Sequence, residues 1–431
     1  MKNFFKSIVA GMLGLAARGV VSRYKPCIIM VTGSVGKTST KDAVAAVLST
    51  RFLVRKSEKS FNSEFGVPFT ILGVGNPWRN PVAWFSVVKS ALALLLLPNH
   101  YSNMLVLETG ADRPGDLARI LRIATPDAVI VTRLPEISVH VEAYTSPEAV
   151  REEEFSPAYA LSAEAPLIIS ADRPYALEMA RRTPARVMTY GTNTDATVRI
   201  KNSDFYETDR GVEGMTANVA MGEEIGALVV RGSVGKTQIC PVAAAVAVAS
   251  AFGISLSEAL TALESYVPPP GRGRLLKGRN DSIIIDDTYN ASPVAVEEAL
   301  ETLEEFPLPA GRQGVLGRRI AVLDDMLELG RYSVQEHERI GARARASADL
   351  VVAVGIRARA FATAKGTAEI MLFDDSRAAA SALADVVRSG DVVLVKGSQS
   401  IRTERIVEAL LADPTDSINL VRQEREWKRR A

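Results

Sequence analysis

The residues Gly33, Ser34, Val35, Gly36, Lys37, Thr38 and Ser39 have the types and spacing that bind nucleotide phosphates. The apolar residues 27–31 before them predict a buried parallel strand, and residues 41–48 after them predict a helix. Glycines let backbone N–H groups approach anionic oxygens, and a helix N-terminus adds a favourable dipole. Lys37 can reach the β- and γ-phosphates, and the Thr38 hydroxyl can ligate Mg²⁺. Val31 replaces the first glycine of the usual pattern, so this loop is a shorter variant.

The same six letters, GSVGKT, recur at residues 232–237. An Ala-rich helix is predicted after them at residues 242–251, but Gln238-Ile-Cys-Pro241 intervenes. Proline disfavours a helix interior, so we expect the second helix to begin late and the loop amides to lie away from its N-terminus. We therefore interpret the second loop as a structural segment, with a second phosphate site as the alternative.

Further candidate residues follow predicted strands. Glu108 ends the predicted strand 104–107, and the carboxyl ends of strands are where open α/β sheets place their chemistry. His140 lies in a predicted loop, and the acidic run 152–154 lies on a helix predicted within residues 146–160. A solvated helix face is the simpler interpretation of that run, and a ligand role is the alternative.

The elements that must position these residues alternate between strand and helix, which predicts an α/β protein. We expect a central P-loop-type ATPase domain with a mainly parallel sheet at residues 25–271 and a C-terminal Rossmann-like doubly wound domain at 272–431. The boundary is the proline-rich break at 268–272. Residues 196–230 predict hairpins at a sheet edge, and residues 56–73 and 308–319 predict loops. Strands of the second domain are predicted at 282–285, 319–323, 350–354, 370–373 and 392–395.

Residues 1–24 predict an amphipathic helix. Its uncharged stretch, residues 7–17, is too short to span a bilayer. We expect the helix to pack on the protein, with weak contact to a membrane surface as the alternative. A second apolar run, residues 91–97, is interpreted as the buried end of another helix.

Composition narrows the function classes. The 431 residues exceed one ordinary core, so two or three domains are expected. A formal net charge of +1 gives no global field to recruit nucleic acid, and the basic residues near the C-terminus are interpreted as a solvated tail. Two cysteines provide neither a disulfide framework nor metal-ligand spacing, which fits a cytoplasmic protein. We expect a monomer.

Taken together, these motifs resemble the Mur ligases, ATP-dependent amide-bond ligases of peptidoglycan precursor synthesis, over residues 25 to about 411. TGSVGKTSTK is similar to the family's nucleotide loop. Four further features resemble its C-terminal signatures: IIIDDTYNASP (283–293), AVLDDMLELG (321–330), His337 and DVVLVKGS (391–398). The resemblance implies that ATP phosphorylates a substrate carboxylate and that an amine then displaces phosphate. It implies UDP-MurNAc-peptide and D-Ala-D-Ala as the substrates.

The resemblance also implies residue roles. Lys37 stabilises the transferring phosphate, Thr38 and Glu108 hold the first Mg²⁺, and His140 contacts the second. Arg272, Asp287 and Asn290 surround ATP at the domain interface, and the C-terminal domain with Lys396 and Ser398 brings in the amine.

The chain departs from the family pattern at four places. Glu154 stands where these ligases carry a carbamylated lysine that supports the second Mg²⁺. We expect the Glu154 carboxylate to supply oxygens similar to those of the carbamate. An alignment shifted by one residue would place Glu153 at that position instead. Only a short segment precedes the first strand, where the family has a UDP-sugar-binding domain. Thr237-Gln238 replaces a His-Asn pair, and Asp324 and Gln399 replace a glycine and an arginine of the signatures.

Two other functions remain open at this point. One is a Mur-like ligase for another acidic acceptor, such as a folate-like or polymeric substrate. The other is a non-catalytic nucleotide-binding homologue. A simple kinase or GTPase is disfavoured because it leaves the C-terminal domain unexplained.

Overall fold

The computed structural model describes residues 2–58, 60–77, 80–309, 311 and 315–428, and the side chains of all of these except 2–5 and 7. Its first part has nine strands: β1 (Cys27–Thr32), β2 (Val54–Lys56), β3 (Met104–Glu108), β4 (Ala128–Val131), β5 (Pro166–Ser170), β6 (Arg186–Gly191), β7 (Val198–Thr208), β8 (Gly211–Met221) and β9 (Glu224–Arg231). The helices described there are α1 (Lys2–Tyr24), α2 (Lys37–Leu48), α3 (Gly66–Leu72), α4 (Pro81–Leu96), α5 (Asp116–Leu121), α6 (Pro147–Tyr159), α7 (Pro174–Ala180), α8 (Lys236–Ala251) and α9 (Leu256–Leu263).

These strands form one sheet in the order β2-β3-β1-β4-β5-β6-β7-β8-β9. Strands β1 to β6 pair in parallel, and β7, β8 and β9 form antiparallel hairpins at one edge. The parallel strands β3 and β4 are buried along their whole length, because helices cover both faces of the sheet. The predicted parallel sheet and the predicted hairpin edge are confirmed.

The second part contains β10 (Arg274–Lys277), β11 (Ile283–Asp287), α10 (Pro293–Glu305), β12 (Arg319–Asp324), α11 (Ser333–Ser347), β13 (Leu350–Val354), β14 (Glu369–Phe373), α12 (Ser376–Val386), β15 (Val392–Lys396), α13 (Glu404–Leu410) and α14 (Arg425–Lys428). Its sheet order is β10-β11-β15-β12-β13-β14, parallel except for β10. The five strands predicted there are confirmed to within two residues at either end. The fold class predicted from the sequence is confirmed, whereas the exact domain limits remain predictions.

Four local predictions are wrong. Helix α2 begins at Lys37 rather than 41, because Gly36 adopts a left-handed φ of 88° and turns the chain directly into the helix. Helix α8 begins at Lys236 and contains Pro241 in its sixth position, so the proline does not delay it. The predicted loop 56–73 ends in helix α3, whose residues are all buried.

The fourth concerns the apolar run 91–97, which is not a buried helix end. It lies in and just after α4, where only Val87 and Ala91 are buried. Leu92, Leu96 and Leu97 are exposed.

Two further sequence predictions fall partly outside the described residues. The expected surface loop 308–319 includes 310 and 312–314, and the basic C-terminal tail includes 429–431.

Candidate active site

The first GSVGKT loop connects β1 to α2. Gly33 has a φ of 111°, and a Cβ added there would lie 2.4 Å from Thr132 Oγ1, so only glycine fits beside the end of β4. Ser34 N donates to Arg133 O (2.9 Å), which holds the loop against the next strand. Helix α2 therefore starts at the loop, with its first N–H groups directed at the space where an anion would lie.

Lys37 and Thr38 are the first two residues of α2. The Lys37 ammonium donates to Gly33 O, so the side chain folds back over the loop. Thr38 Oγ1 is 3.2 Å from Ser60 Oγ, and Ser39 O accepts from Tyr266 OH (3.1 Å). The start of the helix is thus held from two sides.

Glu108 is the last residue of β3 and is fully buried beside Thr38. Its backbone N–H donates to Ser57 Oγ (3.0 Å), while its Oε2 has no hydrogen-bond partner. Burial raises the pKa of this carboxyl, and the positive charges of Lys41 and Lys37 oppose that rise. A buried acceptor without a donor, next to a threonine hydroxyl, fits a bound cation.

Helix α6 separates the two glutamates whose register the sequence left open. Glu154 is buried and accepts a hydrogen bond from Ser34 Oγ in the loop. Glu153 faces α5 instead, where it accepts from Leu117 N (3.0 Å). Burial raises the pKa of Glu154, and Lys37 opposes the rise. The acidic run is therefore not a uniformly solvated face, since one of its members reaches the phosphate loop.

His140 lies in a loop with a left-handed φ of 67°. Its Nδ1 is 2.6 Å from Glu328 Oε2, and its Nε2 is 3.5 Å from Asp112 Oδ1. Burial alone would lower the pKa of His140. The hydrogen bond to Glu328 and the negative charge of Glu328 outweigh burial and raise that pKa overall. Glu328 belongs to the second part of the chain and also has a left-handed φ, 62°.

Arg272 brings the second part of the chain onto the loop. Its Nη2 donates to Thr38 Oγ1 (3.0 Å), and its guanidinium lies 3.9 Å from the centre of the Tyr289 ring. Tyr289 OH contacts Ser60 Oγ, the same hydroxyl that meets Thr38. A cation and an aromatic ring thus close over the first turn of α2.

Asp287 is the last residue of β11, Asn290 lies three residues beyond it, and the two share one partner. Lys396 Nζ, almost fully buried, is 2.7 Å from Asp287 Oδ2 and 3.0 Å from Asn290 O. Asp324 is the residue that replaces a glycine of the family pattern. Its Oδ1 accepts a hydrogen bond from Ser398 N (2.8 Å), and this bond fixes the start of the loop that follows β15. Burial raises the pKa of Asp324 well above its usual range.

The second GSVGKT loop differs from the first despite its identical letters. Lys236 does not fold over its loop but lies 2.9 Å from Glu301 and 2.7 Å from Glu305 of α10. Two carboxylates at the lysine oppose phosphate binding there. Thr237 and Gln238 instead line the cavity that faces the first loop.

One cavity of about 1480 Å³ joins these groups. Except for Gly33, all of the site residues predicted from the sequence line it: Ser34, Val35, Gly36, Lys37, Thr38, Ser39, Glu108, His140, Glu154, Arg272, Asp287 and Asn290. Within the described part of the chain, no three His, Cys, Asp or Glu side chains lie close enough together to hold a metal ion. Thr38 and Glu108 together offer a hydroxyl and a carboxylate, which are oxygen ligands of the kind that Mg²⁺ binds.

The sequence interpretation missed Ser60, Tyr289 and Glu328 as members of the site. Tyr289 stands between Asp287 and Asn290, and Glu328 lies in the AVLDDMLELG string, so both fall inside motifs already noted. Ser60 lies in the polar segment 56–73, where nothing distinguished it from its neighbours.

Comparison with known proteins agrees with this geometry. Residues 31–249 match the Mur ligase middle domain, and residues 271–399 match the Mur ligase glutamate ligase domain. The chain belongs to the Mur ligase family, which is a family of ligases.

Within that family, it is similar to UDP-N-acetylmuramoyl-tripeptide–D-alanyl-D-alanine ligases. The enzyme of Mycobacterium tuberculosis (strain CDC 1551 / Oshkosh) is 30% identical over 409 residues, which cover 90% of this chain and 73% of that protein. The Bacillus subtilis (strain 168) enzyme is 28% identical over 394 residues, covering 90% and 76%. A crystal structure of MurF ligase from Thermotoga maritima in complex with ADP has a TM-score of 0.76 and 26% identity, and covers 93% of this chain and 83% of that one.

Proposed function

We propose that this protein is an ATP-dependent, ADP-forming carboxylate–amine ligase that joins D-Ala-D-Ala to UDP-MurNAc-tripeptide in peptidoglycan precursor synthesis. The observation that carries the proposal is the contact of Arg272 with Thr38. A residue from the C-terminal half reaches the first turn of α2, beside the phosphate loop of the central half, and so supports a reaction in which both halves hold the reactants in position.

The reaction proceeds in two displacements. A carboxylate oxygen of the tripeptide attacks the γ-phosphorus of ATP, the bond to the β-phosphate oxygen breaks, and ADP and an acyl phosphate result. The amine of D-Ala-D-Ala then attacks the acyl carbon and loses a proton. The bond from the acyl carbon to the phosphorylated oxygen breaks, so phosphate leaves carrying one oxygen of the original carboxylate. Such chemistry needs charge stabilisation and positioning rather than an enzyme nucleophile.

The chain's own groups supply these functions. The N-terminus of α2 and the ammonium of Lys37 bind the phosphates. Arg272 adds a second cation at Thr38, and its stacking on Tyr289 fixes its direction. Asp287 and Asn290 hold Lys396 at the C-terminal side of the cavity, where the amine substrate would enter.

The donor set fits Mg²⁺. Thr38 and Glu108 would hold the ion at the phosphates, because the unpaired Glu108 Oε2 is a buried oxygen ligand. His140 and Glu154 would lie at a second ion. When bound, the ions neutralise the charge that the phosphate oxygens develop.

Glu154 takes the place of the carbamylated lysine in this proposal. Its contact with Ser34 and its burial beside the charge of Lys37 support that role, whereas Glu153 is occupied at α5. We further propose a monomeric enzyme acting in the cytoplasm, where ATP is available and the free thiols of Cys27 and Cys240 stay reduced.

Phosphate release in the presence of ATP, Mg²⁺ and UDP-MurNAc-tripeptide, with and without D-Ala-D-Ala, tests the function. Turnover that requires the dipeptide, with a product of the ligated mass, supports it. ATP turnover only with another acidic acceptor would indicate a different Mur-like ligase. ATP binding without turnover on any acceptor would indicate a non-catalytic homologue.

A further inference from the structure

Helices α1 and α4 expose an unusual amount of apolar surface. Nine large apolar side chains on or beside them are exposed, and we call them the α1–α4 surface: Ile8, Met12, Leu15, Val82, Phe85, Val88, Leu92, Leu96 and Leu97. Leu15 is 72% exposed and Phe85 is 71% exposed. Single exposed apolar residues are ordinary, but a contiguous set marks an interaction site.

Each helix carries these residues along one face. Ile8, Met12 and Leu15 have helical i, i+4, i+7 spacing, opposite the buried Leu13, Ala17 and Val20. Along α4, Val82, Phe85, Val88, Leu92 and Leu96 follow the same kind of spacing opposite the buried Val87 and Ala91. Each helix is therefore apolar on the side that faces away from the protein as well as on the side that packs.

The two faces are held beside each other. A Cβ added to Gly19, one turn after Leu15, would lie 2.9 Å from Leu95 Cδ2. Arg23 Nη2 donates to Leu97 O (3.0 Å), and Tyr24 OH donates to Leu94 O (2.9 Å). The end of α1 is thus fixed to the end of α4.

The start of α4 is fixed as well. Asn80 accepts from Val82 N (3.0 Å), which caps the helix, and Pro81 follows as its first residue. Helix α4 is therefore fixed at both ends, and its exposed apolar side chains lie on a well-defined helix.

Helices α1 and α4 contain basic residues and no acidic ones. The first acidic residue of the sequence is Asp42, and no acidic residue occurs between Glu64 and Glu108. The described cations on the two helices and just after them are exposed: Lys6, Arg18, Arg23, Lys25 and Lys89. Helices that expose apolar residues and carry Lys and Arg but no carboxylates have the composition of helices that lie on an anionic bilayer.

That charge disfavours a second copy of the chain as the occupant. Two identical basic surfaces brought face to face would repel each other, and neither offers a carboxylate to the other. Among the described residues, no helix is long and apolar enough to cross a membrane. Binding at the headgroup layer, rather than insertion across the bilayer, matches these dimensions.

We propose that the α1–α4 surface binds the headgroup region of a bilayer that contains anionic lipid. The surface lies one helix from the active-site cavity, because Phe69 of α3 lines the cavity and contacts Trp84 of α4 at a ring-centroid distance of 6.1 Å. Membrane docking would place the cavity near the bilayer.

Co-sedimentation of the full chain with vesicles tests the proposal. Vesicles of phosphatidylglycerol and phosphatidylcholine should bind the protein, pure phosphatidylcholine vesicles should bind it much less, and raising the salt to about 0.5 M should reduce binding. The double variant Phe85→Glu, Leu92→Glu should bind at least about tenfold more weakly. Ile356→Glu, which changes an exposed isoleucine elsewhere, is the matched control and should bind as the unchanged protein does.

A second double variant, which reverses two surface charges, tests the proposal even if the variants with altered apolar residues misfold. Arg18→Glu with Lys89→Glu alters two exposed side chains, and each lost cation should weaken vesicle binding roughly fivefold. Absence of vesicle binding, or binding that neither double variant reduces, overturns the proposal. A dimer seen by sedimentation velocity that Phe85→Glu dissociates, without vesicle binding, would assign the surface to a second copy instead.

Discussion

Glu328 Oε2 lies 2.6 Å from His140 Nδ1, and this contact joins the C-terminal half of the chain to the central half at the edge of the cavity. Both residues have left-handed backbone conformations, which non-glycine residues adopt rarely and which cluster at functional sites. The backbones also meet, since Glu142 N donates to Glu328 O (3.4 Å). The contact therefore belongs to the closed arrangement in which the two halves form one cavity.

Removal of this contact should slow the ligation more than it weakens nucleotide binding. Glu328→Ala takes away the partner of His140 but leaves the phosphate loop intact, so we expect kcat to fall by about tenfold with little change in the KM for ATP. Steady-state kinetics measure both values. Glu328→Gln keeps the size and loses the charge, so an intermediate effect is expected. An unchanged kcat in both variants would show that the contact has no part in closure.

The two glutamates of α6 provide a matched pair. Glu154→Ala removes the carboxylate at Ser34 and should lower kcat by about a hundredfold, in the range of lost electrostatic stabilisation. Glu153→Ala removes only the acceptor of Leu117 N and should affect stability more than rate. Amine-dependent phosphate release and thermal unfolding of both variants distinguish the effects. Equal kcat values in the two variants would contradict the assignment of Glu154.

Arg272 should act on the nucleotide. Arg272→Ala removes a cation at Thr38 and leaves the Tyr289 ring uncovered, so nucleotide binding and rate should both fall, with kcat/KM for ATP lower by about 10²–10³-fold. Arg272→Lys keeps the charge but not the planar stacking group, and should recover only part of the loss. Full recovery with lysine would mean that the stacking is not needed.

His337 should make stability depend on pH. Burial lowers the pKa of this histidine, and its Nε2 accepts from Met326 N (3.0 Å), which requires the neutral ring. Its stabilising contribution is therefore present above the unfolded-state pKa of about 6.5 and declines as pH falls below it towards the folded-state pKa. Urea unfolding between pH 5 and 7.5 measures this loss. In His337→Gln, which can still accept the hydrogen bond, that part of the pH dependence should disappear.

The sequence predicted the structure best where residues close together in the chain determine it. The apolar runs of β12, β13 and β15 are buried on both faces, so their positions follow from composition alone. The phosphate loop was also recognisable, because glycine, lysine and threonine act there through neighbours in the sequence. The start of α2 was misplaced because the conformation of Gly36, rather than a side-chain cap, determines it.

Contacts distant in sequence could not be predicted in the same way. Ser60 meets Tyr289 across 229 residues, and nothing local marks either as a partner of the other. The exposure of α4 was missed because an apolar run has the same composition whether it faces a core or the outside. The identical second GSVGKT is distinguished from the first by Glu301 and Glu305, which the fold supplies.

Oxygen transfer tests the proposed acyl phosphate most directly. If the tripeptide carboxylate is labelled with ¹⁸O and the complete reaction is run with ATP and D-Ala-D-Ala, the account predicts one ¹⁸O atom in each released phosphate, read by mass spectrometry. Phosphate that forms together with the ligated product but carries no label would contradict the account, because the carboxylate oxygen would then never have been bonded to phosphorus.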